Sequence, residues 1–331
     1  MKTFTETVGA NGATLTGYLF DQKGEYANAD IRPAVLICPG GGYCCCSDRE
    51  AEPVALAYLG AGFQAFVLRY TTGQTDCFAE ALADAGAALH YLRANAAALH
   101  LAPGKIAAVG FSAGGHLAGC LGTVCAEKAD ALVLGYPVIL KKCGRELGKT
   151  LPGVDEAVTP ATPPTFLFST SDDRLVPIEN SLALLSALAK SGVYFESYIY
   201  LEGPHGLSLA TPEVSGGNCG MVNEAVSGWF AASVRFLRQV LGGASVAGQS
   251  DTPPLARLLA NGIDTPVVRL LDDPACAAVL EKLAPAFAAH ARQDGMSRGI
   301  TPRQAAENDP VMLPAETLAA LEKALAALRK P

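Results

Sequence analysis

The chain has 331 residues, half of them hydrophobic, with 34 glycines and a net charge of −7. That length allows one large domain with a substantial core and a smaller one beside it. Lys and Arg total only 25 and form no basic run interleaved with aromatics, which argues against nucleic acid as a partner. Gly, His or a charge breaks every apolar run before the roughly 18 residues of a membrane span.

In chain order, the N-terminal "MKTFTETVGANGATL" has one lysine but no apolar stretch, so no secretory signal is expected. "AVLICPG" (34–40) reads as a strand entering a Gly-rich turn, and "FQAFVLRY" (63–70) as the next strand. Residues 78–99 carry Ala and Leu at helical spacing. "KIAAVGF" (105–111) reads as a buried strand, followed by helix composition over 113–127. Three more strands are expected over 131–139, 165–170 and 194–201, and two more helices over 179–192 and 221–241. Short apolar strands alternating with helices predict an α/β fold with a mostly parallel sheet covered by helices.

After residue 241 the composition changes. "GGASVAGQSDTPP" (242–254) is small, polar and Pro/Gly-rich and reads as a linker. Beyond it only helical patterns remain, with starts at Asp273-Pro274, Thr301-Pro302 and Pro314. The expected layout is a catalytic domain over 1–241, a linker over 242–254 and a small helical domain over 255–331. The ten cysteines have no C-x-x-C pair and no spacing suited to zinc. Reduced thiols point to a cytoplasmic protein, with most of the cysteines acting as small buried hydrophobes.

"GFSAGGHLAG" (110–119) falls where the 105–111 strand meets the next helix. Small residues on both sides of Ser112 allow a sharp strand-to-helix turn that exposes the serine hydroxyl, with the Ala113 amide aimed at the same spot. Such a serine needs a base. His90 lies inside a helical pattern, His100 at a helix end and His290 in the tail, while His116 on the elbow helix is expected to pack rather than react. His205 lies in "EGPHGLS", just after the last expected strand, where open α/β sheets place their sites. The imidazole in turn needs a carboxylate. "STSDDRLVP" (169–177) offers two; Asp173 is favoured because it heads the turn, leaving Asp172 to cap or brace the loop. "CPGGGYCCC" (38–46) lets backbone amides approach a ligand without a Cβ in the way. Gly41 and Gly42, with Ala113, are candidate oxyanion donors. With no G-x-x-x-x-G-K-[ST] and no G-x-G-x-x-G, a nucleotide loop is not expected.

The phrases "RPAVLICPGGGY" (32–43), "REAEPVALAYLGAGFQAFVLRY" (49–70), "GFSAGGHLAG", "TPPTFLFSTSDDRLVPIENSLALLSAL" (162–188) and "GPHGLSLA" (203–210) resemble an α/β-hydrolase. The resemblance is to the bacterial acetyl-xylan-esterase and feruloyl-esterase group and covers about 1–241. It implies a Ser112–Asp173–His205 triad, the "PGGGY" loop as oxyanion hole, and Tyr43 lining the acyl or leaving-group site. The cysteines after Tyr43 depart from the pattern, and a thiol facing the site there would narrow the pocket. The tail resembles, more weakly, a small helical segment of some bacterial sugar-processing enzymes, and reads equally well as a stabilising or homo-oligomerising cap.

The expected reaction is hydrolysis of a small acyl ester on a sugar, without metal or cofactor. Residues 140–164 are too short for a large lid, which favours an open site and a bulky sugar over a long lipid chain. A peptidase or an acyltransferase would use the same triad, and a catalytically silent scaffold would keep the same fold.

Overall fold

The computed structural model describes residues 1–21, 24–247, 252–259, 261–294 and 299–328. Eight strands form one sheet: β1 (Lys2–Val8), β2 (Ala13–Leu19), β3 (Arg32–Cys38), β4 (Gln64–Arg69), β5 (Leu101–Phe111), β6 (Ala131–Gly135), β7 (Thr165–Thr170) and β8 (Phe195–Tyr200). Their order is β1-β2-β4-β3-β5-β6-β7-β8. The pairs β1–β2 and β2–β4 are antiparallel, and every pair from β4 to β8 is parallel.

Among the described residues seven α-helices accompany the sheet: α1 (Glu52–Gly60), α2 (Phe78–Ala94), α3 (Ser112–Thr123), α4 (Cys143–Leu147), α5 (Glu179–Lys190), α6 (Glu224–Ser227) and α7 (Trp229–Leu241). The central strands β3 to β7 are apolar and buried at most positions because helices cover both faces. Their side chains divide by the two-residue period of a strand. Ala34, Leu36 and Cys38 of β3 join a core with Leu89, Leu117 and Leu188 from α2, α3 and α5. Val35 and Ile37, between them, join the opposite core with Val54, Tyr58 and Trp229 from α1 and α7.

The structure differs from the sequence reading at several elements. The β1–β2 hairpin and α1 are additional to it. The helix expected over 78–99 ends at Ala94, and the one expected over 113–127 ends at Thr123. The helix expected over 221–241 is two, broken at Gly228, with the Asn223 side chain accepting from the Val226 amide to start the first. The strand expected over 131–139 stops at Gly135, because Tyr136 takes a φ of +35° that no strand accommodates.

Contacts divide the chain into two compact units, Met1–Asp251 and Thr252–Pro331. Among the described residues the second unit is helical: α8 (Pro254–Leu259), α9 (Val267–Asp272), α10 (Pro274–Leu283), α11 (Pro285–Gln293), α12 (Pro302–Asn308) and α13 (Ala315–Ala327). It has its own core, including Leu270, Leu280, Phe287 and Leu321. Asp273 caps α10 by accepting from the Ala275 and Cys276 amides, with Pro274 in the first turn. Thr301 and Gln304 form a capping box at α12. Of the stretch read as a linker, residues 248–251 lie outside the described residues.

All ten cysteines are free thiols. Only Cys38, Cys77, Cys120, Cys143 and Cys276 are buried, which is half of them rather than most. No helix among the described residues is long and apolar enough to cross a membrane.

Candidate active site

Ser112 opens α3 directly after β5, with a φ of +53°. The glycines around it are required by close approach. A Cβ on Gly110 would lie 2.1 Å from the Gly114 carbonyl oxygen, and one on Gly114 would lie 2.1 Å from the Cys38 carbonyl oxygen. Both distances are far inside van der Waals contact, so this turn closes only with glycine at both positions. Ser112 is thereby held in a left-handed conformation that costs on the order of 1–3 kcal/mol and that the packing around it must offset.

His205 reaches the serine from the loop after β8. Its Nε2 lies 2.7 Å from Ser112 Oγ. Its Nδ1 lies 2.6 Å from Asp173 Oδ2, in the loop after β7. The carboxylate can only accept, so His205 Nδ1–H donates to Asp173 and leaves Nε2 free to accept the serine proton. Asp173 Oδ1 accepts the Leu175 and Val176 amides at 2.9 and 3.0 Å. Burial alone would raise the Asp173 carboxyl, but the His205 N–H and charge, with the two amides, hold it below its ordinary value. Asp172 does something else: its Oδ1 accepts the Gly203 amide at 2.8 Å, bracing the loop that carries His205.

Ser112 and His205 line a cavity of about 420 Å³ at the C-terminal edge of the parallel strands, with Asp173 behind the imidazole. Gly41, Gly42 and Ala113 line it beside Ser112 and His205. Gly41 has a φ of +128°, and a Cβ there would sit 2.2 Å from the Cys45 carbonyl oxygen. The loop turns tightly because Gly41 O accepts the Cys44 and Cys45 amides at 2.9 and 3.2 Å. The Ala113 amide lies in the first turn of α3, where no carbonyl four residues earlier belongs to the helix. Val138, Cys143, Leu147, Leu175 and Val176 supply apolar wall, and Arg49 and Glu146 supply charge.

Tyr43 corrects an expectation. It does not line the cavity but is fully buried, and its hydroxyl lies 2.8 Å from His116 Nδ1. Its φ of +59° turns the ring under the glycine loop, where it packs edge-on against Tyr70 and Phe78. The thiol in the cavity wall is Cys143; Cys44 and Cys45, although exposed, are not part of the lining, and neither is Cys46. His116 packs, as expected: it is fully buried, its Nε2 lies 3.0 Å from the Pro152 carbonyl, and burial lowers it to about 4. His90 is paired with Glu127 at 3.2 Å on the surface.

Four residues that sequence reasoning did not single out are linked around the site, and Glu50 among them lines the cavity. Glu50, 3% exposed, accepts the Gly40 amide at 2.8 Å and the Tyr136 hydroxyl at 2.7 Å. The Tyr136 oxygen accepts the Ser208 amide at 2.9 Å. The Ser208 carbonyl accepts the Trp229 indole N–H at 2.8 Å. Glu50 follows the glycine loop in an acidic, surface-like phrase, "SDREAE", and nothing local distinguishes it from its neighbours.

A parallel sheet whose central strand turns sharply through a serine, with a histidine and an acid on later loops, is the plan of an α/β hydrolase. The BD-FAE family model matches residues 23–141. MGS-M1, an alpha/beta hydrolase enzyme from a Medee basin deep-sea metagenome library, is 43% identical over 72% of this chain and 98% of its own, with a TM-score of 0.68. The chain therefore belongs to the α/β-hydrolase family. The acetyl ester-xyloside bifunctional hydrolase of Caldicellulosiruptor lactoaceticus is 31% identical, covering 71% of this chain and 90% of that one, with a TM-score of 0.62. The acetylxylan esterase of Xylanibacter ruminicola is 30% identical over 200 residues, 54% of this chain. The chain spans less than half the length of the curated relatives it matches.

Proposed function

We propose that the protein is a serine esterase that removes small acyl groups, acetyl in particular, from carbohydrate such as xylo-oligosaccharide. The observation that carries this reading is the continuous hydrogen-bond chain Ser112–His205–Asp173, ending at a cavity lined by Gly41, Gly42 and Ala113. The relatives named for acetyl-ester and acetylxylan hydrolysis support the choice of acyl group and sugar.

In this reading Ser112 Oγ attacks the ester carbonyl while its proton passes to His205 Nε2. The carbonyl oxygen becomes an oxyanion, held by the amides of Gly41, Gly42 and Ala113; one such donor contributes on the order of 3 kcal/mol in the transition state. Asp173, kept ionised, stabilises the imidazolium without taking its proton. His205 then protonates the departing sugar alcohol. Water deprotonated by His205 attacks the acyl-serine, which returns the serine and releases the acid. The scheme uses no cofactor. The cavity of about 420 Å³, walled by Val138, Leu147 and Val176, suits a short acyl chain.

The test is hydrolysis of p-nitrophenyl acetate, butyrate and octanoate beside an acetylated xylo-oligosaccharide. The reading expects the acetyl ester to be preferred among the three and the sugar to be deacetylated at a comparable or higher kcat/KM. Preference for octanoate would overturn the acyl and sugar assignment.

A further inference from the structure

The oxyanion loop and the histidine loop lie far apart in sequence, after β3 in the middle of the sheet and after β8 at its edge. Acyl transfer needs both held in register, because the developing oxyanion and the accepting imidazole must be met by groups already in place. The structure shows what joins them. Glu50 Oε2 accepts the Gly40 amide, one residue before the loop amides that line the cavity. Glu50 Oε1 accepts the Tyr136 hydroxyl, and that oxygen accepts the Ser208 amide, three residues after His205. The Tyr136 ring also packs against the imidazole, with centroids 5.0 Å apart and planes at 68°.

We propose that Glu50 and Tyr136 form one positioning unit for the reaction at Ser112, with Glu50 the clamp between the oxyanion loop and the His205 loop. This rests on the esterase reading above.

Two further observations favour it over simple packing. Ser112, Tyr136 and Ser208 all have positive φ, at +53°, +35° and +54°. Tyr136 and Ser208 are therefore both strained and bonded to each other, in segments that flank the reacting serine. The second is the nature of the clamp. A carboxylate is an expensive group to bury, and burial does push Glu50 above its usual range, against the Tyr136 and Gly40 donors and the His205 and Arg49 charges. An apolar side chain would fill the same space, but it could not accept two donors from two separate loops at once.

The experiment compares the wild type with Glu50→Gln, Tyr136→Phe and the double variant on p-nitrophenyl acetate. Active sites are counted by phosphonate titration and folding is followed by thermal unfolding. Glutamine keeps the volume but one of its two terminal atoms now donates, so one of the two contacts is lost. Phenylalanine keeps the ring against His205 and removes only the link from Glu50 to Ser208. Each single variant is expected to lose about 10- to 100-fold in kcat with KM within about twofold, the pattern of an interaction used in the transition state. The double variant is expected to be no worse than about threefold below the weaker single one, because the residues act as one unit. Retention of kcat per titrated site in both single variants, with only a lowered unfolding temperature, would overturn the proposal and leave the esterase reading standing. Tyr136→Phe decides the matter if Glu50→Gln does not fold. A wild type with no Ser112-dependent turnover would overturn both.

Discussion

The two neighbouring aspartates after β7 show how finely the roles divide at the level of single residues. Asp173 is buried against His205 Nδ1, while Asp172 faces the other way and accepts the Gly203 amide. Asp173→Asn presents a donor to Nδ1 and favours the tautomer that cannot accept the serine proton. Its kcat should fall by roughly 10³- to 10⁴-fold with the fold intact. Asp172→Ala removes only a loop brace and should cost less than about tenfold. Steady-state kinetics on p-nitrophenyl acetate check both, and equal losses in the two variants would contradict the division of roles. Sequence alone favoured Asp173 from its place at the head of the turn. It could not see the Gly203 amide, 31 residues away, that occupies Asp172.

At the scale of elements, helix α3 is fastened at its N-terminal end by more than the elbow. Its His116 accepts the Tyr43 hydroxyl at Nδ1 and donates from Nε2 to the Pro152 carbonyl, tying the helix to the glycine loop and to the segment after α4. Burial lowers His116 from 6.5 to about 4. An unfolded chain takes up this proton as the pH falls below 6.5, whereas the folded one resists until about 4. The unfolded state therefore binds more protons in that window, and stability is lost as the pH falls through it. The full effect is on the order of 3 kcal/mol. His116→Gln should flatten the pH dependence of urea unfolding between pH 6.5 and 4, and an unchanged slope would contradict this account.

The central strands and α3 were legible from the sequence because β3 to β7 are apolar on both faces, and the glycines at 110 and 114 mark the turn. The β1–β2 hairpin was harder to read. β1 is exposed along most of its length, so "KTFTETV" carries no continuous apolar signal. Its one local cue is Asn11-Gly12, the turn pair between two alternating segments. The juxtaposition of Ser112, His205 and Asp173 was legible because each follows a strand. Glu50 and Tyr136 were not, because their meaning lies in contacts 86 residues apart. Tyr43 was misplaced for the same reason: its sequence position beside the glycines says nothing of the buried histidine that holds its hydroxyl.

At the scale of the whole molecule, the two compact units meet in sequence within the Gly/Pro-rich stretch 242–254, and each has a core of its own. We propose that the first is a catalytic domain and the second a separate helical domain. Limited proteolysis should then cut first within 242–254 and leave an N-terminal fragment that keeps its activity on p-nitrophenyl acetate, since every candidate site residue lies before residue 210. First cleavage within α9 to α13, or loss of activity with the cut, would contradict this division.

The central claim is that Ser112 is a nucleophile activated by His205. It is tested most directly by incubating the wild type, Ser112→Ala and His205→Ala with diethyl p-nitrophenyl phosphate and mapping the adduct by mass spectrometry. One diethylphosphoryl group is expected on Ser112 of the wild type, none on Ser112→Ala, and labelling of His205→Ala slowed by roughly 10³-fold or more. An adduct on another residue, or equal labelling of Ser112 with and without His205, would contradict the claim.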